Sequence, residues 1–395
     1  MNGVLKRNPG LGALLAGQTP SDIADWLGFV AILALLAYVW EAPLIAFALF
    51  GIAMCLPYLT FGLLAGALVD RVPVRAVLIW SNLLRGLVFL AMTQATGWIG
   101  LVALVALAAT IDSAFTPAKQ AAIEALVRPD DRMAANGVSY AINQASKIVA
   151  PGLGGLLLVA ISPEAMFVAN GAISVVAAAI LLALPKIAKA AGGGGGSLWA
   201  DATAGLGIVR RAPALRWALG LMAAGFFFMF LYDTLFAPLV RSLGFGARDF
   251  GLSLSAVGAG GVLGALLAAR VSPERPFRLI GGAHLAGGGL IALAGAAALF
   301  AWPPPLALLL AGFAAVGICS ALAIVPTRTV IQNAAGPEGV ARVTALSEAA
   351  NQLAILTAPP LGAWLASHTA LGWPFALGGG MTVALGLLAL WRRPA

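Results

Sequence analysis

Residues 305–327 read PLALLLAGFAAVGICSALAIVPT and contain no charged side chain. A helix of about 20 apolar residues is long enough to cross the hydrocarbon core of a bilayer. Eleven other stretches of similar character fill most of the chain. The twelve spans that we read are 11–39, 44–69, 74–96, 98–125, 134–160, 163–184, 213–240, 247–269, 277–301, 305–327, 340–366 and 371–391. The sequence therefore predicts an all-α polytopic membrane protein with twelve transmembrane helices in two six-helix halves.

The composition agrees with a membrane protein. Of the 395 residues, 61% are apolar and 10% are charged, and the mean hydropathy is +0.97. A soluble domain carries roughly 25% charged residues, because its surface must face water. This chain has too few charged residues to cover such a surface.

The net charge of +8 follows from the placement of basic residues in the loops, and it does not require a nucleic-acid partner. Lysine and arginine concentrate in alternate loops and in both tails, whereas the loops between them hold only Arg241 and Arg248. This is the positive-inside pattern, so we expect both termini on the cytoplasmic side of a bacterial inner membrane. Cys55 and Cys319 show no metal-binding or disulfide spacing. We expect neither a metal nor a cofactor.

The chain divides near its middle, and the two parts repeat. Residues 1–184 and 213–395 each hold six spans, and 185–212 is predicted to be a cytoplasmic linker with an amphipathic helix. The glycine run in that linker is compatible with a natural or an engineered origin. Asp25 and Asp233 occupy equivalent places in the two parts, as do Asn143-Gln144 and Asn351-Gln352. A parallel repeat of this kind predicts a substrate site between the halves, near the midplane of the membrane.

Three motifs carry a resemblance to a known family. Gly66, Asp70-Arg71 and Arg75 resemble the Gly-x-x-x-Asp-Arg-x-Gly-x-Arg signature of the Major Facilitator Superfamily, with Pro73 where the second glycine is usual. In the fifth span, Gly137, Ser146, Ala150, Pro151, Gly154 and Gly155 resemble that family's antiporter motif, with serine and alanine in place of two glycines. The opening, Arg7-Asn8-Pro9, Gly17-Gln18, Ser21 and Asp25-Trp26, resembles the branch of macrolide-efflux proteins and enterobactin exporters.

The resemblance implies alternating access, with the loop of Asp70 and Arg71 latching the cytoplasmic ends of the two halves. The alternative is that this loop only fixes the topology of the chain in the membrane and has no gating role. For the fifth span, the resemblance implies a bend typical of exporters. Close helix packing alone would also explain its small residues.

Ionisable residues inside the spans are costly in lipid unless they are paired or face a cavity. Helical spacing places several on polar faces, and we predict that they line a substrate cavity. The predicted cavity residues are Trp26, Arg85, Asp112, Phe115, Lys119, Tyr140, Asn143, Lys147, Phe230, Asn351 and Gln352. We expect Asp112 to pair with Lys119 or Lys147, and Lys119 to lie near enough to its helix end to snorkel. The alternative is that these charges only hold helices together.

Carboxyl groups are the candidates for proton coupling, because burial disfavours their charged form and allows them to bind and release a proton. Asp25 is the first choice, followed by Asp22, Asp233 and Glu348, since Asp25 and Asp233 have no basic neighbour on their own helices. We expect His284 to be a packed or lipid-facing residue.

No Walker A loop, zincin motif or nucleophile elbow is present in the sequence, so we expect no enzyme activity. The leading hypothesis is a monomeric secondary transporter for proton-coupled export of a small amphipathic compound, such as a drug, a macrolide-like product or a siderophore. Its partners would be that substrate, protons and the bilayer. A lysophospholipid transporter is the first alternative, and a receptor or scaffold that does not transport is the second.

Overall fold

The computed structural model describes residues 2–69, 71–187, 209, 212–270 and 276–391, and every regular element in these ranges is helical. The helices are α1 (Asn2–Arg7), α2 (Leu11–Ala34, continued by a π turn over Leu35–Val39), α3 (Leu44–Val69), α4 (Val74–Met92), α5 (Trp98–Asp112), α6 (Phe115–Leu126), α7 (Arg132–Ala160), α8 (Pro163–Leu181), α9 (Pro213–Asp233), α10 (Phe236–Ser242), α11 (Ala247–Arg270), α12 (Pro276–Leu299), α13 (Leu306–His368) and α14 (Gly372–Trp391). In the described part of the chain, 11 helices are long and apolar enough to cross a membrane. The prediction of an all-α polytopic membrane protein is confirmed.

Two predicted spans contain a break that the sequence analysis did not anticipate. The fourth span divides into α5 and α6 directly after Asp112, and the seventh divides into α9 and α10 directly after Asp233. At the first break the Ser113 hydroxyl donates to the Thr110 carbonyl over 2.7 Å. Such a local bond competes with the helical pattern of the backbone.

The tenth and eleventh spans differ from the prediction in the opposite way. Helical backbone continues from Leu306 to His368, so the connection between the two predicted spans contains no non-helical loop. The chain nevertheless reverses direction between the two spans, as the distance of 3.6 Å between Arg328 Nη2 and Glu348 Oε1 shows. At a rise of 1.5 Å per residue these positions would be roughly 30 Å apart on a straight helix. Alanine strongly favours the helical conformation, and Ala334 and Ala335 lie in the helical stretch beyond the end of the tenth span.

The chain forms two compact units. One comprises residues 1–42 and 53–193, and the other comprises 43–52 and 194–395. We call them the N-terminal and C-terminal units. The predicted linker 185–212 lies mostly outside the described residues, so the division at that point stays a prediction.

Each unit has its own packing. In the N-terminal unit, Leu14, Leu78, Ala118 and Leu181 belong to one buried apolar cluster. In the C-terminal unit, helices approach through glycine: a Cβ atom built on Gly288 would lie 2.7 Å from the Gly379 carbonyl oxygen, which joins α12 to α14. Close approach through small residues is how helices associate in lipid, where no hydrophobic force drives them together.

Candidate functional site

The N-terminal unit is centred on one buried cation. Arg85, on α4, has a side chain that is only 2% exposed, and its Nη1 atom lies 2.9 Å from Asp25 Oδ1 on α2. The same nitrogen also bonds Asp112 at the end of α5. One guanidinium group therefore connects three helices and serves two carboxylates. We call Asp25, Arg85 and Asp112 the carboxylate–guanidinium triad.

Neighbouring polar groups add further hydrogen bonds to the triad, whereas the buried Nε atom of Arg85 has no partner in the described structure. Arg85 Nη2 donates to Ser21 Oγ over 2.6 Å and to Asn82 Oδ1 over 3.3 Å. Tyr58, on α3, donates its hydroxyl hydrogen to Asp112. Sequence reasoning did not assign these three partners. Asn82 and Ser21 lie one turn before Arg85 and Asp25, a spacing that could have indicated them, but nothing in the sequence singled out Tyr58.

The triad gives Asp25 a partner that the sequence did not indicate, and it corrects the expected partner of Asp112. Asp25 has no basic neighbour on its own helix, yet Arg85 supplies one from α4. Asp112 pairs with Arg85, so its predicted pairing with a lysine is wrong. Asp112 is also the last residue of α5, where the carbonyl end of the helix dipole disfavours a negative charge. Arg85 offsets that cost and explains why this carboxylate can lie there.

A second polar group joins α2 to α7. Asp22 is 6% exposed and accepts a bond of 2.9 Å from Gln18 Nε2. Gln18 also exchanges two bonds with Ser139, one to its carbonyl and one from its hydroxyl. Asn143 interacts with Asp22 as well. Asp22 is thus held as an acceptor by neutral amides, with the charge of Lys119 acting on it as well.

Lys119 does not snorkel, because it is only 7% exposed. Its Nζ atom lies 6.0 Å from the centroid of the Phe115 ring, and its charge acts on Asp22. Tyr140 and Lys147 lie on α7, and neither residue is without a partner. Trp26 packs its ring 5.6 Å from Phe29. The N-terminal candidates therefore gather around α2, α4 and α5, with α6 and α7 beside them.

The C-terminal unit places its carboxylates differently. Within the described residues, neither a hydrogen bond nor an ion pair reaches Asp233, which is the last residue of α9. Glu348 lies 3.6 Å from Arg328. Asn351 is half-buried with no hydrogen bond to its Oδ1 atom in the described structure, and Gln352 makes a contact of its own. Phe230 stacks on Phe226 with ring centroids 6.1 Å apart.

Comparison with known proteins identifies the family to which this helical fold belongs. The sequence profile of the Major Facilitator Superfamily matches residues 14–296 and 280–395, which together cover nearly the whole chain. The chain belongs to the Major Facilitator Superfamily. It is a membrane-embedded transporter of small molecules, in keeping with the family and its solved members, which are transporters and not enzymes.

The relatives support the family assignment. The uncharacterized MFS-type transporter YfiS of Bacillus subtilis (strain 168) is 26% identical over 400 residues, which cover 98% of this chain and 94% of YfiS. A D-xylose–proton symporter shares the fold with a TM-score of 0.70 at 15% identity, covering 98% of both chains. An auto-inhibited peptide transporter of the POT family has a TM-score of 0.68 at 15% identity, covering 98% of this chain and 97% of its own.

The superfamily signature after α3 is only partly described. Gly66 lies within α3, and Asp70 lies outside the described residues. Arg71 is exposed. Arg75 donates from Nη2 to the Leu182 carbonyl over 2.5 Å, so it ties the start of α4 to the end of α8. The predicted latch stays a prediction.

The antiporter-like motif on α7 combines packed and open positions. A Cβ on Gly154 would lie 3.1 Å from Val30 Cβ, so a larger residue there would crowd the packing against α2. A Cβ on Gly137 would meet nothing within 4 Å, so close packing does not explain that glycine. Pro151 lies inside the continuous helix α7. Among the others, Ser146, Ala150 and Gly155 are buried.

Proposed function

We propose that this superfamily member is a proton-coupled exporter of a small amphipathic compound, related to the branch of macrolide-efflux proteins and siderophore exporters. The observation that carries the proposal is that Asp25 and Asp112 share the single guanidinium of Arg85. With both carboxylates ionised, the triad has one negative charge in excess. A buried excess charge is costly, and a proton removes it.

The geometry favours Asp25 as the carboxylate that exchanges the proton. Its side chain is 34% exposed, whereas that of Asp112 is 15% exposed. Asp112 also accepts from Tyr58, which stabilises its charged form. A proton on Asp25 would leave Arg85 to Asp112 alone and so loosen the attachment of α2. Proton binding would in this way bias the packing of one helix, as an alternating-access transporter requires.

Asp233 supports the same function from the other unit. It ends α9 without a cationic partner among the described residues, so its charged form is compensated by neither an ion pair nor the helix dipole. A proton or a cationic group of the substrate would neutralise it. The fold accommodates proton coupling, since the D-xylose–proton symporter shares it.

The test uses purified protein in liposomes with the pH-sensitive dye pyranine inside. Ethidium, erythromycin, an iron-free catecholate siderophore and lysophosphatidylglycerol are offered as substrates. We expect at least one of the first three to move protons in the opposite direction. Asp25→Asn should abolish uphill transport and keep downhill exchange, because Arg85 and Asp112 remain a balanced pair. The control is Glu124→Gln, which alters a carboxylate with a side chain that is 74% exposed.

Three results would contradict parts of the proposal. Unchanged uphill transport by the Asp25→Asn variant would remove that residue from proton coupling. Transport of any probe without proton movement would exclude coupling altogether. Transport confined to lysophosphatidylglycerol would instead favour the lipid-transporter alternative.

A further inference from the structure

The C-terminal unit contains a cavity that the proposed function does not use. Its volume is about 90 Å³, and it belongs to a hollow of about 660 Å³ that includes open space. The residues that line it come from α9, α12, α13 and α14, and all of them lie in residues 194–395. The cavity is therefore a property of this unit by itself.

One wall of the cavity presents an imidazole nitrogen. His284 Nδ1 lies 2.8 Å from the Ile280 carbonyl oxygen. A carbonyl only accepts, so Nδ1 carries the hydrogen, and Nε2 of the neutral ring is left as an acceptor. In the described part of the chain no bond to Nε2 is formed. A Cβ on Gly225, across the cavity on α9, would lie 3.4 Å from Nε2. Glycine at 225 thus keeps the space in front of this acceptor open.

A hydroxyl group lines the same cavity. Ser320 lines the cavity from α13, where it is exposed and makes no hydrogen bond to any residue that the structure describes. Thr327 donates to Ala323 over 2.7 Å and Thr382 donates to Gly378 over 2.8 Å, whereas the Tyr232 hydroxyl, which also lines the cavity, makes no hydrogen bond to a described residue. Most of the remaining lining side chains are apolar, aromatic or sulfur-containing. In the described part of the chain, His284 Nε2 and the hydroxyls of Ser320 and Tyr232 are therefore the lining polar side-chain atoms without a protein partner, and the rest of the lining is largely apolar.

We propose that this cavity binds an amphipathic molecule with a single hydroxyl group, such as a phenol or an aliphatic alcohol. The hydroxyl would donate to His284 Nε2 and accept from Ser320. An apolar cavity of about 150 Å³ accommodates benzene, so about 90 Å³ holds the hydroxyl end while the rest of the ligand extends into the larger hollow. A hydrocarbon of the same shape would leave the polar atoms unpaired and bind more weakly. The site goes beyond the proposed function because it needs neither a proton gradient nor Asp25.

The test is photolabelling of the purified full-length protein with a diazirine derivative of benzyl alcohol, followed by mass spectrometry of the labelled peptides. We expect adducts on α9, α12 and α13. Phenol should compete about fivefold to tenfold better than toluene, the range expected for one net hydrogen bond. Gly225→Ala should reduce labelling by a similar factor, because its methyl group covers Nε2.

The chain offers a matched control on the same helix. A Cβ on Gly220 would meet nothing within 4 Å, so Gly220→Ala should label like the parent. His284→Leu should lose the preference for phenol over toluene. If it does not elute as folded protein, Gly225→Ala still tests the site. Equal competition by toluene and phenol, or parental labelling of Gly225→Ala, would overturn the proposal. Labelling of the Asp25→Asn variant should be unchanged, which separates this test from that of proton coupling.

Discussion

Replacing Arg85 by glutamine should destabilise the protein by about 3–5 kcal/mol. A hydrogen bond to a charged group contributes roughly 1.5–3 kcal/mol, and Arg85 makes such bonds to two carboxylates. The bond to Asp25 is taken at the low end, because that side chain is 34% exposed and solvent screens it. The sum agrees with the roughly 3–5 kcal/mol lost when one partner of a buried ion pair is removed.

The reasoning also predicts a rescue. Asp25→Asn and Asp112→Asn, added to Arg85→Gln, leave no buried charge in the triad, so most of the lost stability should return. Replacing a whole buried ion set with neutral groups is often close to neutral for stability. Arg216→Gln is the control, because Arg216 is exposed on α9 and should change stability by less than about 0.5 kcal/mol.

Unfolding of the purified variants in mixed micelles, followed by intrinsic tryptophan fluorescence, gives the free energies. A loss below about 1 kcal/mol for Arg85→Gln would show that the triad is not a buried ion set. A triple variant as unstable as the single variant would show that side-chain volume, and not charge, accounts for the effect.

Other changes have smaller expected effects. Tyr58→Phe should cost about 1 kcal/mol in the same assay, since it removes the hydroxyl donor to a part-buried carboxylate. Gly154→Ala should lower the free energy of unfolding by roughly 1–3 kcal/mol through overpacking against α2. Gly137→Ala has open space around it and should be neutral or stabilising by up to about 1 kcal/mol. The reverse order of the two variants would refute the packing argument. Asp131→Asn should speed tryptic cleavage after Arg7, because the 2.6 Å ion pair that holds the N-terminal segment is lost; unchanged cleavage would show that other contacts hold it.

The sequence was sufficient for the fold because a membrane imposes simple requirements. Each span must be long and apolar enough to cross lipid, and that requirement can be read from composition alone. The prediction was less accurate where local backbone chemistry decides. Breaks after Asp112 and Asp233 and the helical backbone beyond residue 327 depend on hydrogen bonds, which hydropathy does not report.

The candidate polar residues were found from their cost in lipid, but their partners were not. A single sequence shows which residues share a helix face, and it therefore suggested that Asp112 pairs with a lysine. Only the tertiary structure brings Arg85 to Asp25 and Asp112, since these three residues lie on different helices. Only the tertiary structure also shows that the two repeat-related carboxylates differ. Asp25 has a cationic partner, whereas Asp233 has none in the described structure.

The sequence by itself thus determined the all-α polytopic architecture, the repeat, the family and most of the buried ionisable groups. The tertiary structure decided which charges compensate one another, which glycines are required by close packing, and that His284 and Ser320 face a common cavity. The physical reason is the range of the forces. Hydrophobic length and helical periodicity act along the chain, whereas pairing energies depend on distances between helices that are remote in sequence.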